Sequence, residues 1–299
     1  MTPTFRATAL LALTLAGCGG RSGLDVMAGT RPAAQPKDAS TLPDASRFVD
    51  SVAPADVAAR DAVARCNDGG PSELAYVLDG AGVLYRFNLS NEHYEALGTP
   101  ECDDSNGLWT MTVSRENAYI AYQDGAIFAV DLTTLACSQT AFQPGQLGLE
   151  DEFGLAIAAI GGAEKLFVYG ETSDGTGPII AESDLSSFVL AKVADVTPAP
   201  PPGSFTVNLT ADAFGHLYAF SPDGTLLQID TATGALLQRI RTGVTTDGTW
   251  AQATYGGNDF LFVDSRVAEY DIATHAKTLA RKFPVGAIGG GSVVLCPDE

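Results

Sequence analysis

The sequence predicts an all-β chain: a five-bladed β-propeller of four-stranded antiparallel blades, with a C-terminal strand closing the first blade. Three observations lead there. Five segments repeat one pattern of apolar strand, turn, second strand, polar turn and third strand. A further apolar strand precedes four of them, and a spare one stands at the C-terminus. The spacing of the repeats uses up the folded part of the chain with nothing left over.

The repeats begin at Leu74, Ala118, Leu166, Leu217 and Leu261. Their first turn usually carries Asp-Gly, a hairpin signal because glycine accepts positive φ. Their second turn carries Asn88, Asp131, Asp184, Asp230 or Asp271. A side-chain oxygen there accepts N–H groups of its own turn, so these regular residues are structural and poor catalytic candidates. The extra strands fall at 108–114, 153–159, 205–210 and 250–255, and 291–295 is the orphan that completes the first blade. Four antiparallel strands per repeat make a propeller blade. The second-turn residues recur at steps of 41 to 53 residues, and the step through the two ends of the domain is 50. Five steps therefore close a ring, and no interval is long enough to hide a sixth blade.

The N-terminus carries an address. Arg6 and the amino group precede an apolar stretch at 7–16, far shorter than the roughly 20 residues that span a bilayer. Leu15, Ala16, Gly17 and Cys18 look like a bacterial lipobox, with small residues before the cut and a thiol that takes the diacylglycerol. Residues 1–17 then form a lipoprotein signal peptide, and Cys18 is the lipidation site. By resemblance to other lipoproteins, Gly19 in place of Asp directs export to the outer membrane, facing the periplasm or the cell surface. Residues 18–65, rich in Ala, Asp, Pro, Ser and Gly, read as a disordered tether spanning roughly 40 Å. The propeller occupies 66–299.

Four cysteines remain in the domain, and an even number in an exported chain suggests two disulfides. Three pairings are open. Cys66 begins the domain and Cys296 nearly ends it, so joining them would lock the ring and leave Cys102 to Cys137. None of these spacings suits a metal site.

Charge limits the partners. The chain holds 36 Asp+Glu against 17 Lys+Arg, a net charge of −19, which excludes a general nucleic-acid binder. No G-x-S-x-G, H-E-x-x-H, phosphate-binding glycine loop or C-x-x-C is present, and His93, His216 and His275 stand alone and read as surface residues. The five inner strands carry no carboxylate, which counts against a glycosidase with paired acids in the channel.

Loop acids offer one positive signal. Inter-blade loops and second-to-third-strand loops emerge on one face of a propeller. The first set carries Glu101, Asp103, Asp104, Glu150, Asp151, Glu152 and Asp247; the second carries Asp79, Asp124, Glu171, Asp174, Asp223 and Asp264. About half the excess acid is expected on that face, where propellers place function. Ca²⁺ is the cofactor such hard oxygen donors would take; otherwise none is expected. Trp109 and Trp250 begin inner strands beside the same face and are the aromatic platforms a glycan reader needs.

The stretches Cys18-Gly-Gly-Arg-Ser-Gly, Leu84-Tyr-Arg-Phe, Trp109-Thr-Met-Thr-Val, Tyr255-Gly-Gly-Asn-Asp-Phe and Val293-Val-Leu-Cys-Pro carry a resemblance. The domain resembles a group of uncharacterised exported propeller lipoproteins common in myxobacteria. That resemblance implies the architecture and brings neither an activity nor a catalytic residue. The reading is a monomeric binding or scaffold propeller of the envelope without catalytic activity. It touches the membrane through its lipid alone and recognises a protein or glycan through its acidic face, bounded by Asp103, Asp104, Trp109, Glu150, Asp151, Glu152, Asp247 and Trp250. The alternative is a glycan-active propeller, lectin or glycosidase, using those carboxylates.

Overall fold

Alternating apolar residues pair the repeats into antiparallel hairpins. The computed structural model describes residues 74–102, 106–160, 163–198, 207–212, 214–246 and 248–292, with the backbone alone at 278–280 and 292. The first blade opens with β1 (Leu74–Asp79), β2 (Leu84–Asn88) and β3 (Tyr94–Gly98). The second holds β4 (Leu108–Val113), β5 (Asn117–Tyr122), β6 (Ile127–Asp131) and β7 (Cys137–Gln139). The third holds β8 (Gly154–Ile160), β9 (Ala163–Glu171), β10 (Pro178–Asp184) and β11 (Ala191–Asp195). The fourth holds β12 (Asn208–Ala211), β13 (His216–Phe220), β14 (Thr225–Asp230) and β15 (Leu236–Arg241). The fifth holds β16 (Trp250–Tyr255), β17 (Asn258–Val263), β18 (Arg266–Asp271) and β19 (Lys277–Lys282). β20 (Ala287–Ser292) then returns to pair antiparallel with β1. Among the described residues this makes five four-stranded antiparallel blades in a propeller ring, the first ordered β20-β1-β2-β3.

The closing strand differs from expectation. It begins at Ala287 rather than residue 291, and residues 293–295 lie outside the described ones. It runs through Gly289, Gly290 and Gly291, of which only Gly291 falls in the expected strand. Packing is the reason. A β-carbon on Gly289 would lie 2.5 Å from the Met111 nitrogen, and one on Gly290 would lie 3.1 Å from the Gln252 oxygen. β20 thus wedges backbone against backbone between β4 and β16, where only glycine fits. In the fourth blade the described inner strand is Asn208–Ala211, and residues 205 and 206 of the expected strand lie outside the described residues.

The five polar turns are one structure repeated. In each, the side-chain oxygen of Asn88, Asp131, Asp184, Asp230 or Asp271 accepts the N–H groups two and three residues on, at 2.7–3.1 Å. The residue four positions on is left-handed each time: Glu92, Leu135, Phe188, Gly234 and His275. Only one of the five is glycine. At Gly234 a β-carbon would meet the Ala194 β-carbon at 2.5 Å, so the third blade forbids a side chain there.

The core lies between blades. Five apolar clusters occur among the described residues, one in each seam. Alternation along the inner strands supplies both sides: Leu155 and Ile157 of β8 face the second blade, while Ala156 and Ala158 face the fourth. The closing seam is the most aromatic, with Phe262 ring centroids 5.3 Å from Phe87 and 5.2 Å from Phe283.

Cys102 is disulfide-bonded to Cys137 across 35 residues, tying the first inter-blade connection to the outer strand of the second blade. A loop of that length contributes about 3–4 kcal/mol on the chain-entropy view. The signal peptide, Cys18, the tether, Cys66 and Cys296 lie outside the described residues. Among the described residues no helix is long and apolar enough to cross a membrane.

Candidate functional site at the axial mouth

The inner strands β4, β8, β12, β16 and β20 line the axis. β4, β8, β12 and β16 enter from the face that also bears the inter-blade connections. Trp109 is the second residue of β4 and Trp250 the first of β16, so both indoles stand at this mouth. Between them opens a pocket of about 200 Å³, also lined by Leu108, Gln123, Val207, Asn208, Thr249 and Ile288. Both tryptophans are half-buried. Trp109 is fixed in place: its Nε1–H donates to the Phe153 carbonyl at 3.0 Å, across the seam to the third blade. Trp250 Nε1 is buried and has no acceptor among the described residues.

Asn208 floors the pocket. The Thr110 hydroxyl donates to its Oδ1 at 3.1 Å, and its Nδ2 donates to the Trp250 carbonyl at 2.8 Å and the Ile288 carbonyl at 3.3 Å. One amide therefore joins the first, second, fourth and fifth blades, while Thr112 accepts the Ile157 N–H of the third at 3.1 Å. Beneath it, the Gln252 amide donates to the Asn208 carbonyl at 2.8 Å and closely to the Tyr218 carbonyl. Thr110, Thr112, Asn208 and Gln252 are all buried, so these residues plug the axis and make the pocket blind. No charged side chain lines it among the described residues. Asn208 and Gln252 were not singled out by sequence; their one signal is an amide in an otherwise apolar inner strand.

The loop acids behave differently from one another. Asp79 accepts the Ala81 and Val83 N–H groups at 2.9 and 2.8 Å, and Asp124 accepts that of Ala126 at 3.1 Å. Asp174 is held below the ordinary carboxylate range, first by the Thr172 hydroxyl and then by Thr176. Burial pushes Asp223 up, but hydrogen bonds from Ser221, Thr225 and Arg241 more than offset this and hold it low. Asp264 takes the Thr246 hydroxyl at 2.5 Å. Asp79, Asp124, Asp174 and Asp223 cap their own loops, and Asp264 ties its turn to the connection that carries Thr246. Glu150, Asp151 and Glu152 are exposed on the connection into β8. Beside them burial, and then the Glu150 charge, raise Glu171. Among the described residues no three carboxylate, imidazole or thiol side chains converge as a metal site would require. Asp103, Asp104 and Asp247 lie outside the described residues.

The opposite face also carries acid, including Glu116, Asp131, Glu164, Asp184, Asp212 and Asp230, so charge alone does not single out one face. There His216 is not a free surface residue. Its Nδ1 lies 2.8 Å from Asp212 Oδ2, which also accepts the Tyr218 hydroxyl at 2.9 Å.

No protein-family model and no curated protein matches this chain. Solved structures similar to it include apo AztD from Citrobacter koseri, at 14% identity and a TM-score of 0.34, covering 73% of this chain and 61% of that one. Another is the WD40 domain of Pan2 from Neurospora crassa, at 11% identity and a TM-score of 0.39, covering 73% and 65%. The matched part spans less than two thirds of each of those chains.

Proposed function

We propose that this protein is a lipid-anchored, non-catalytic binding propeller of the bacterial envelope, and that it takes an uncharged sugar ring of an envelope glycan into the axial mouth. The observation that carries this reading is the blind pocket between Trp109 and Trp250, whose described lining carries no charge. Indoles offer apolar faces to the C–H side of a pyranose, and the Thr249 hydroxyl and Gln123 amide offer partners for its hydroxyls. A volume of about 200 Å³ is below that of drug-sized pockets, about 300–1,000 Å³, and suits one ring. An ionised ligand would lose its hydration there without a counter-charge among the described lining residues. Hydrolysis needs two carboxylates flanking the bond, and the described lining supplies none, which favours binding over turnover. The lipid anchor rests on the lipobox at Cys18, and the Cys102–Cys137 disulfide suits an exported chain.

An array of immobilised neutral and uronate-containing oligosaccharides tests the binding half. The full-length protein should be retained on neutral fragments, lose that retention as Trp109→Ala, and release no new reducing ends. Retention on uronates alone, or cleavage of the array, would contradict the reading. For the anchor, Cys18→Ala should release the protein from the membrane fraction; unchanged membrane binding would contradict it.

A further inference from the structure

Asp259 of β17 is completely buried, with 0% exposure. Its cross-strand partners are Thr254 on β16 and Tyr270 on β18. Directly paired residues share a sheet face. Tyr270 belongs to the apolar cluster between the fourth and fifth blades, so the Asp259 carboxyl is set in that seam. Among the described residues the Thr254 hydroxyl is the one donor that bears on it, and no cationic side chain accompanies it. The Gln252 Oε1, on the same face of the neighbouring strand, is buried without a donor among them.

The groups around it are known from each side. From β16 come Thr254 and Gln252; Thr254 is the one group that favours the ionised form, and burial outweighs it. From β18 comes Tyr270, next to Asp271. From the fourth blade comes Tyr218, whose hydroxyl donates to Asp212 at 2.9 Å and accepts from Gln228 at 3.2 Å, with His216 on the far side of Asp212. Burial, then Asp212, then Asp259 push the Tyr218 phenol well up. The ionisable groups that bear on Asp259 are acids, and burial pushes its carboxyl well above the ordinary range. A carboxylate with one hydroxyl donor and no cation is a costly group for an apolar seam to hold.

We propose that Asp259 is held as the neutral acid in the folded protein, and that its ionisation is a switch that loosens the seam between the fourth and fifth blades as pH rises. The seam is continuous with the pocket floor, because Gln252 holds both the Tyr218 and Asn208 carbonyls. Loss of the proton to solvent would therefore be felt at the axial mouth. This inference does not depend on what the pocket binds. Its sign follows from linkage. Above the ordinary carboxylate range the unfolded chain has lost this proton and the folded chain keeps it, so stability falls as pH rises until the folded group ionises.

The test compares denaturant unfolding of the full-length protein and Asp259→Asn from pH 4 to pH 9. The ratio of the two folding constants should shift in favour of Asp259→Asn as pH rises, by about tenfold per pH unit wherever the unfolded chain has lost this proton and the folded chain keeps it. The ¹³C carboxyl shift of Asp259 in the unmodified chain gives an answer even if the variant fails to fold, and at neutral pH it should be that of a protonated acid. Parallel pH slopes, or an ionised carboxyl resonance at pH 7, would overturn the proposal. So would a stabilisation by added Na⁺ or Ca²⁺ that Asp259→Asn abolishes, since that assigns the seam to a cation instead.

Discussion

Gly289 and Met111 approach so closely that a β-carbon on the glycine would lie 2.5 Å from the Met111 backbone nitrogen. The contact joins the last strand of the chain to the inner strand of the second blade, and it is how the ring closes. Gly289→Ala must push β20 off β4, and overpacking of this kind costs about 1–3 kcal/mol. Gly80→Ala is the control: its β-carbon would meet only Ile288 Cγ2, at 3.9 Å. Thermal unfolding should place the first variant well below the parent and the second within about 0.5 kcal/mol of it.

Asn208 holds the axis from one side chain. Asn208→Ala strands the Trp250 and Ile288 carbonyls and the Thr110 hydroxyl, each within reach of that amide alone in the hydrogen bonds described above. Leaving buried polar groups unpaired costs about 2–4 kcal/mol in total. Because the pocket loses its floor, tryptophan emission of the folded variant should also move to the red as water enters. A variant with parent stability and parent emission would show that the amide is dispensable.

Asp184 gives the acid limb its sign. The Ser186 hydroxyl, then the Ser187 N–H and hydroxyl, hold its carboxyl far below the ordinary value of 3.8. A depressed group stabilises above its unfolded pKa, and that contribution is lost as pH falls toward the folded one. Asp131, led by the Thr134 N–H, and Asp230, led by the Thr233 hydroxyl, shift the same way. Asn88 fills this position in the first blade, so Asp184→Asn keeps the turn while removing the titration. Melting temperatures between about pH 2 and pH 5 should decline less steeply in the variant than in the parent.

What could be read in advance was local chemistry. Asp131, Asp184, Asp230 and Asp271 bond within three residues, so their role follows from their own segment and repeats with it. Strand alternation and the spare C-terminal strand are legible for the same reason, and they yield the blade number. The axis is not local. Thr110 and Asn208 are 98 residues apart, and nothing near either names the other. Sequence starts the closing strand only at residue 291, because what holds Gly289 and Gly290 in it is the approach of two neighbouring backbones. Asp259 looks like any Asn-Asp hairpin acid, and only assembly of the fifth blade against the fourth buries it. Asp79, Asp124, Asp174 and Asp223, which sequence grouped with the loop-face acids, cap their own loops, because a hydrogen bond two residues away decides an aspartate's job before net charge does.

The chain has two tryptophans, and both stand at the axial mouth, so its intrinsic emission reports on the proposed site alone. Titration of the full-length protein with neutral methyl hexopyranosides and N-acetylhexosamines, followed by tryptophan fluorescence, is the most direct test of the account. A saturable shift is predicted for at least one neutral sugar and for no uronate, and Trp109→Phe should weaken it at least tenfold. An emission unmoved by every neutral sugar, or moved equally by uronates, would contradict it.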